Sequence, residues 1–374
     1  MKQSKMLFLV VIVMGALLLV SCIPGAAQPI RGWSGTTIHD GIIYVGTRDG
    51  RVVAINSATR SKLWDFTITP ATIIYTTPIV HGDLVYIGTY GGHIYALTID
   101  RGADRWVYPR IDSIGAIVGS PVIANDTLYI SSSDGRVYAL DTTFGDLKWR
   151  SEPLADKLWT SPVIQDDTLY VSTFDGHIYA LSAETGKALN WFFQAPAGFA
   201  SRPVIYGDTI FLGSFARHLY AIRIGGDKPL WRFPQEKPAG NWFWASPIVR
   251  EGIVYIGCLD GTLYAVNATT GKEIWSYMTR DEENRPSAIV SSPVLMDNLL
   301  IVVNESGTVY VFDLAADNRN SGVPLMTISI GADVKSPFSA EEGLVYIRGE
   351  DNKLYAVDID EERVSWNISL AIEE

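Results

Sequence analysis

Short apolar runs alternate with polar turns along this chain, and the same run returns at a near-constant interval. Residues 84–88 (LVYIG), 127–131 (TLYIS), 168–172 (TLYVS) and 253–257 (IVYIG) place β-branched and aromatic residues in the pattern of strands packed on both faces. Centred on that run, the register falls at Tyr44, Tyr86, Tyr129, Tyr170, Phe211, Tyr255, Ile301 and Tyr346, with steps of 41 to 46 residues. Most copies open on Ser-Pro or a near variant, as at Ser120-Pro121, Ser161-Pro162, Ser246-Pro247, Ser292-Pro293 and Ser336-Pro337. A polar turn then leads into the apolar strand. A tight turn follows, often Asp-Gly (Asp49-Gly50, Asp134-Gly135, Asp175-Gly176, Asp260-Gly261), and is expected to supply the positive φ of a two-residue hairpin. A third strand reads like HIYAL at 177–181, and a short fourth strand carries a tryptophan.

Eight copies of four strands predict an all-β fold, a single eight-bladed β-propeller of four-stranded antiparallel blades. Each sheet needs a neighbour on both faces, so residues 31–374 are read as one domain. The last copy ends with its own Trp strand, so closure is expected from packing of the first blade against the last, without strand exchange. Trp64, Trp106, Trp149, Trp191, Trp231, Trp275 and Trp366 recur at one place, with Met326 in the seventh copy. A ring repeated in nearly every copy suits packing between blades; a set of ligand-binding tryptophans is the alternative.

The N-terminus changes the picture of location. A basic MKQSK and an uncharged apolar run precede Leu19-Val20-Ser21-Cys22, which resembles a bacterial lipobox. Residues 1–21 are read as a lipoprotein signal peptide, Cys22 as the lipidation site, and residues 22–30 as the lipidated Cys and tether. Two acyl chains give stable anchoring. An ordinary signal peptide with a chance cysteine is the alternative. The protein is thus expected to be extracytoplasmic and membrane-anchored, at the outer membrane if the host has one, since Ile23 and not Asp follows the cysteine. Cys258 is left without a partner, and reads as a small buried hydrophobe or, alternatively, a reactive thiol.

The formal net charge is −11, without a basic cluster, which excludes a counterion-release nucleic-acid binder. His93, His177 and His218 share one repeat position and are read as surface turn residues, too spread around a ring to meet at a metal. No catalytic or metal-binding residue is assigned, and no cofactor.

The motif from Tyr179 to Trp191 (YALSAETGKALNW), repeated one residue shorter from Tyr264 to Trp275, resembles the repeat of the pyrroloquinoline-quinone-type propellers. With its lipobox, size and blade number the chain is most similar to the BamB-type lipoproteins. That resemblance implies a monomeric, non-catalytic scaffold whose partner is a β-barrel assembly subunit; in that family the propeller docks on the periplasmic domains of the barrel-forming subunit. The rival branch is the quinone-dependent dehydrogenases, which resemble one another in a vicinal Cys-Cys pair that this chain lacks. A surface propeller lipoprotein with another protein partner is a third reading.

Departures from the repeat single out candidate contact residues. PQEKPAGNWFWAS places Trp242, Phe243 and Trp244 together, and strand alternation cannot bury all three. Trp159 matches Trp244 in the fourth copy, Phe199 lies near it in the fifth, and Arg202 stands where other copies have Ser or Thr before proline. Trp159, Phe199, Arg202, Trp242 and Trp244 are therefore expected to contact the partner; a plug of side chains in the central channel is the other reading. The Ser/Thr residues before proline are expected to line that channel and satisfy inner-strand backbone groups.

Overall fold

The computed structural model describes residues 32–371 apart from 200, 316, 317 and 319. Signal peptide, Cys22 and tether lie outside the described residues. Among the described residues, thirty-two strands form eight four-stranded sheets, each hydrogen-bonded in sequence order. The sheets span residues 36–67, 79–108, 122–150, 163–194, 204–233, 248–278, 294–329 and 339–369, here blades one to eight. Every register residue named above is the middle residue of its blade's second strand. The eight-bladed propeller is thus the observed architecture.

Turn chemistry departs from expectation in one respect. The two-residue turns with positive φ at both central residues join strands one and two, as at Asp40-Gly41, Asn125-Asp126 and Asp166-Asp167. In the Asp-Gly turns only the glycine is left-handed, at Gly50, Gly135, Gly176 and Gly261. The aspartate instead organises the loop through its carboxylate. Asp134 accepts from the Arg136 N–H at 3.0 Å and from the Tyr138 hydroxyl at 2.6 Å, and Asp351 accepts from the Tyr355 hydroxyl at 2.6 Å. In these two blades the bond ties the third-strand tyrosine to the turn before it.

The repeated tryptophans are mortar. Trp64, Trp106, Trp149, Trp231, Trp275 and Trp366 each sit opposite a third-strand alanine, which leaves room for the ring. The indole then lies beside the second-strand aromatic, with centroids 5.8 Å apart for Tyr86–Trp106 and for Tyr129–Trp149. Both partners reach the same carbonyl of the next blade. The Tyr86 hydroxyl and Trp106 Nε1 donate to Thr142 O, each at 3.0 Å, and Tyr129 and Trp149 converge on Ala183 O at 3.2 and 2.9 Å. A glycine in the turn between the next blade's third and fourth strands completes the contact. A Cβ on Gly145 would lie 2.5 Å from the Trp106 ring, and one on Gly186 would lie 2.3 Å from the Trp149 ring. Blade seven replaces both aromatics together, with Ile301 and Met326, and its seam with blade eight is a cluster dominated by aliphatic side chains.

The ring closes by packing between blades one and eight. Ile43, Val45, Val53 and Ile55 of blade one share a core with Tyr346, Leu354, Ala356 and Trp366. Arg51, 1% exposed, pairs with Asp49 at 2.9 Å and Asp65 at 3.2 Å, and donates to Leu370 O of the last blade. Burial alone would raise the Asp49 carboxyl, but hydrogen bonds from Thr47 and Arg51 and the Arg51 charge hold it below the usual range. At the turn corresponding to Gly102 and Gly145, blade one has Arg60 with φ of 58°. Left-handed backbone strains a residue with a Cβ, so Arg60→Gly is expected to stabilise the fold by about 1 kcal/mol, read as a higher denaturation midpoint.

Candidate functional site

The innermost strands line a central channel, and the residue that precedes or replaces the repeated proline forms a ring around it: Gly35, Thr77, Ser120, Ser161, Arg202, Ser246, Ser292 and Pro337. The hydroxyls do tie the inner strands together. Thr77 N–H donates to Ser120 Oγ at 2.9 Å, Arg202 N–H to Ser246 Oγ at 3.0 Å, and Ser246 N–H to Ser292 Oγ at 2.9 Å. Blade eight is out of step by one residue. Its Ser336 hydroxyl donates to Arg348 O at 2.8 Å, the bond made by Thr76 to Gly88 O, so Pro337 and not Ser336 takes the ring place.

Three residues before each blade's Ser-Pro proline, or at its counterpart, lies the residue at the channel mouth. Trp33, Tyr75, Val118, Trp159, Trp244, Val290 and Lys335 hold this place in seven blades. The residue just before it points the other way, into the core: Ile74, Ile117, Leu158, Phe199, Phe243, Ile289 and Val334 are all buried. This alternation corrects the expectation for Phe199. It is 2% exposed and packs edge-on to Tyr220 at 6.2 Å, so it offers nothing to a partner. Phe243 is buried likewise, whereas Trp242 and Trp244 are half-exposed.

The mouth has a second tier that sequence reasoning missed. The residue two places after the end of the second strand stands on the same face, in the turn to strand three. Its N–H donates back to the lead-in loop: Tyr90 to Ile73 O at 2.9 Å, Phe174 to Lys157 O at 3.0 Å, Phe215 to Gly198 O at 2.9 Å, and Leu259 to Trp242 O at 3.0 Å. Elsewhere this place holds Arg48, Ser133, Glu305 or Glu350. The two tiers interlock into an aromatic arc over blades four to six. Trp159 meets Phe174 at 4.9 Å, Phe174 meets Phe215 at 5.1 Å, and Phe215 meets Trp242 at 5.2 Å and Trp244 at 6.2 Å. The Lys157 ammonium lies 4.1 Å from the Phe174 ring centre and 4.4 Å from that of Trp159. A smaller group, Trp33, Tyr75 and Tyr90, sits over blades one and two. The signal was present in the sequence: Phe174 and Phe215 occupy a turn position that is polar or charged in half of the repeats.

Trp159, Arg202 and Trp244 thus line one channel, and Trp242 joins them through Phe215. Arg202 reaches into the space between two chambers, a narrow one of about 150 Å³ on the aromatic side and a wider one of about 570 Å³ on the other. Its side chain is open to channel water yet walled by protein, and burial alone pushes its guanidinium below the ordinary arginine range.

The histidines do not assemble. His177 is half-buried and 3.0 Å from Asp175, and His218 is 7% exposed with Nδ1 2.9 Å from Ala216 O, so the surface-turn expectation fails for His218. Burial holds the His218 imidazole below its usual value. Among the described residues, no three or more His, Cys, Asp or Glu side chains come together as a metal site. Cys258 is fully buried, its Sγ 3.3 Å from Asn241 O, and burial pushes the thiol up to about 12. A thiol reagent at pH 8 is therefore expected to leave Cys258 unmodified in the native protein and to label it fully after unfolding, as read by intact mass.

A family model described as outer membrane protein assembly factor BamB matches residues 27–188 and 133–368. The chain belongs to the BamB family. Among curated proteins it is 25% identical over 139 residues to outer membrane protein assembly factor BamB of Nitrosomonas eutropha, covering 37% of this chain and 31% of that one. It is also 32% identical over 82 residues to a 1-butanol dehydrogenase (cytochrome c) of Thauera butanivorans, covering 20% of this chain and 12% of that one. The matched segments therefore span less than a third of either curated relative. The crystal structure of BamB from Moraxella catarrhalis superposes with a TM-score of 0.65 at 18% identity, over 87% of this chain and 91% of that one.

Proposed function

We propose that this protein is a non-catalytic, lipid-anchored scaffold of outer-membrane β-barrel assembly, and that it docks its protein partner at the aromatic mouth of the propeller. The observation that carries the docking site is the arc of Trp159, Phe174, Phe215, Trp242 and Trp244, because it breaks the eightfold repeat. Ring stability asks for equivalent residues in equivalent blades, as the inter-blade tryptophans provide. Half-exposed rings that fill these places in some blades and are replaced by polar or small residues in others serve no such need. Large aromatics flanked by cations are the residue types that dominate binding energy at protein interfaces. Lys157 and Arg202 supply the cations, in a chain whose net charge is otherwise strongly negative. Lipidation of Cys22 would hold the disc at the membrane, and family membership supports a β-barrel assembly subunit as the partner.

A quinone-dependent dehydrogenase is the second reading, favoured by the match to the Thauera enzyme. Chemical crosslinking of membranes holding the native lipoprotein, followed by mild-detergent isolation and mass spectrometry, separates the two. The scaffold predicts crosslinks from Lys157 to a barrel-assembly subunit. Co-isolation of a cytochrome with a visible quinone spectrum, and no such subunit, would reverse the assignment.

A further inference from the structure

The repeat requires a small residue at each place of the channel ring, and blade five supplies an arginine. No side-chain hydrogen bond or ion pair holds the Arg202 guanidinium among the described residues; its only bond there is the backbone one to Ser246. None of the described residues lining either chamber is Asp or Glu. The other lining cation, Lys335, is already engaged by Glu305 at 3.2 Å. The guanidinium is open to channel water and has no counter-charge, and its five N–H donors are left facing the channel.

The walls add donors of the same kind. Ser120, Ser246 and Ser292 each accept a backbone N–H from the preceding blade, which occupies a lone pair and leaves the hydroxyl hydrogen free. None of these three hydroxyls, nor that of Ser161, donates to a protein acceptor among the described residues. The ring therefore offers free hydroxyl donors and one planar cation, with no carboxylate among the described lining residues. A planar, bidentate acceptor completes that set, and a carboxylate has that geometry. Aromatic rings line one side only, where Trp33, Tyr75, Trp159 and Trp244 surround the narrow chamber; prolines with Ile79, Val204 and Ile248 line the wider one.

We infer that the central channel is a carboxylate-binding site, in which Arg202 and the ring hydroxyls hold the carboxylate and the aromatic side holds an apolar or aromatic body attached to it. Such a group comes either from the free C-terminus of a peptide or from a small aromatic acid. The site shares Trp159, Trp244 and Arg202 with the proposed docking surface, and small ligands test it without reference to which protein docks at the mouth.

Titration of the purified propeller by calorimetry with phenylacetate, and with a short peptide ending in phenylalanine with a free carboxylate, tests it. Phenylacetamide and the same peptide amidated are the neutral counterparts. At least one acid is expected to bind, and its neutral counterpart to bind at least tenfold more weakly. Binding of the peptide acid alone assigns the site to a chain terminus; binding of phenylacetate alone assigns it to a free acid. Arg202→Ser restores the residue that four other blades use at this place, so it is expected to fold with undiminished thermal stability and lose at least tenfold in affinity. Arg202→Lys should retain part of the binding. Silence of both acids at about 10 mM, near the weak limit of specific recognition, would overturn the proposal. So would equal binding by wild type and the serine variant.

Discussion

Gly145→Ala is expected to destabilise the propeller by about 2–5 kcal/mol although it adds a single methyl group. Two costs combine. Gly145 has φ of +71°, where a Cβ costs about 1–2 kcal/mol. The methyl would also lie 2.5 Å from the Trp106 ring, and overpacking of that kind costs about 1–3 kcal/mol. The ring cannot retreat easily, because Trp106 Nε1 is bonded to Thr142 O of the same turn and Tyr86 uses that carbonyl too. Gly82 isolates the second cost. Its φ is +59°, but nothing lies within 4 Å of where its Cβ would stand. Gly82→Ala should therefore show the backbone penalty alone, and the difference between the two denaturation midpoints reports the indole dock. Equal effects at the two sites would mean that tryptophan docking does not hold neighbouring blades together.

The second large effect concerns binding. Trp159→Ala combined with Trp242→Ala is expected to weaken partner capture by at least thirtyfold, since one interfacial aromatic at a hot spot is worth about 2 kcal/mol or more. The fold should survive, because both rings are half-exposed and neither bridges two blade cores. Leu189→Ala with Phe192→Ala makes the matched control. Those side chains are 44% and 59% exposed on the outer strand of blade four, far from the mouth in the blade's strand order. A loss of binding in the outer-edge pair and none in the mouth pair would move the interface to the rim of the disc.

Much of this was legible in the chain because an eightfold repeat states each structural requirement eight times. Tyr86, Trp106 and Gly145 look unremarkable singly, yet their recurrence at fixed places identifies the second strand, the fourth strand and the turn they share. The same redundancy made Arg202 visible as a replacement. Errors arose where one residue of register decides the outcome. Phe199 and Trp159 differ by one place relative to their prolines, and alternation sends one into the core and the other to the mouth. Ser336-Pro337 has the sequence of the ring motif but sits one residue early, so its serine bonds within the blade. Phe174 and Phe215 are hard to place from sequence because a hairpin tip reads as turn residues alone. Their meaning depends on the lead-in loop that the tip folds against, and that contact joins residues far apart in sequence.

The most direct test of the central claim is site-specific photocrosslinking in living cells, with a photoreactive amino acid placed at Trp242 and, separately, at Phe192. The account predicts a strong adduct from position 242 with a β-barrel assembly subunit, lost when Phe215 is changed to Ala in the same chain, and little or none from position 192. An adduct to that subunit from position 192 alone, with position 242 silent, would contradict it.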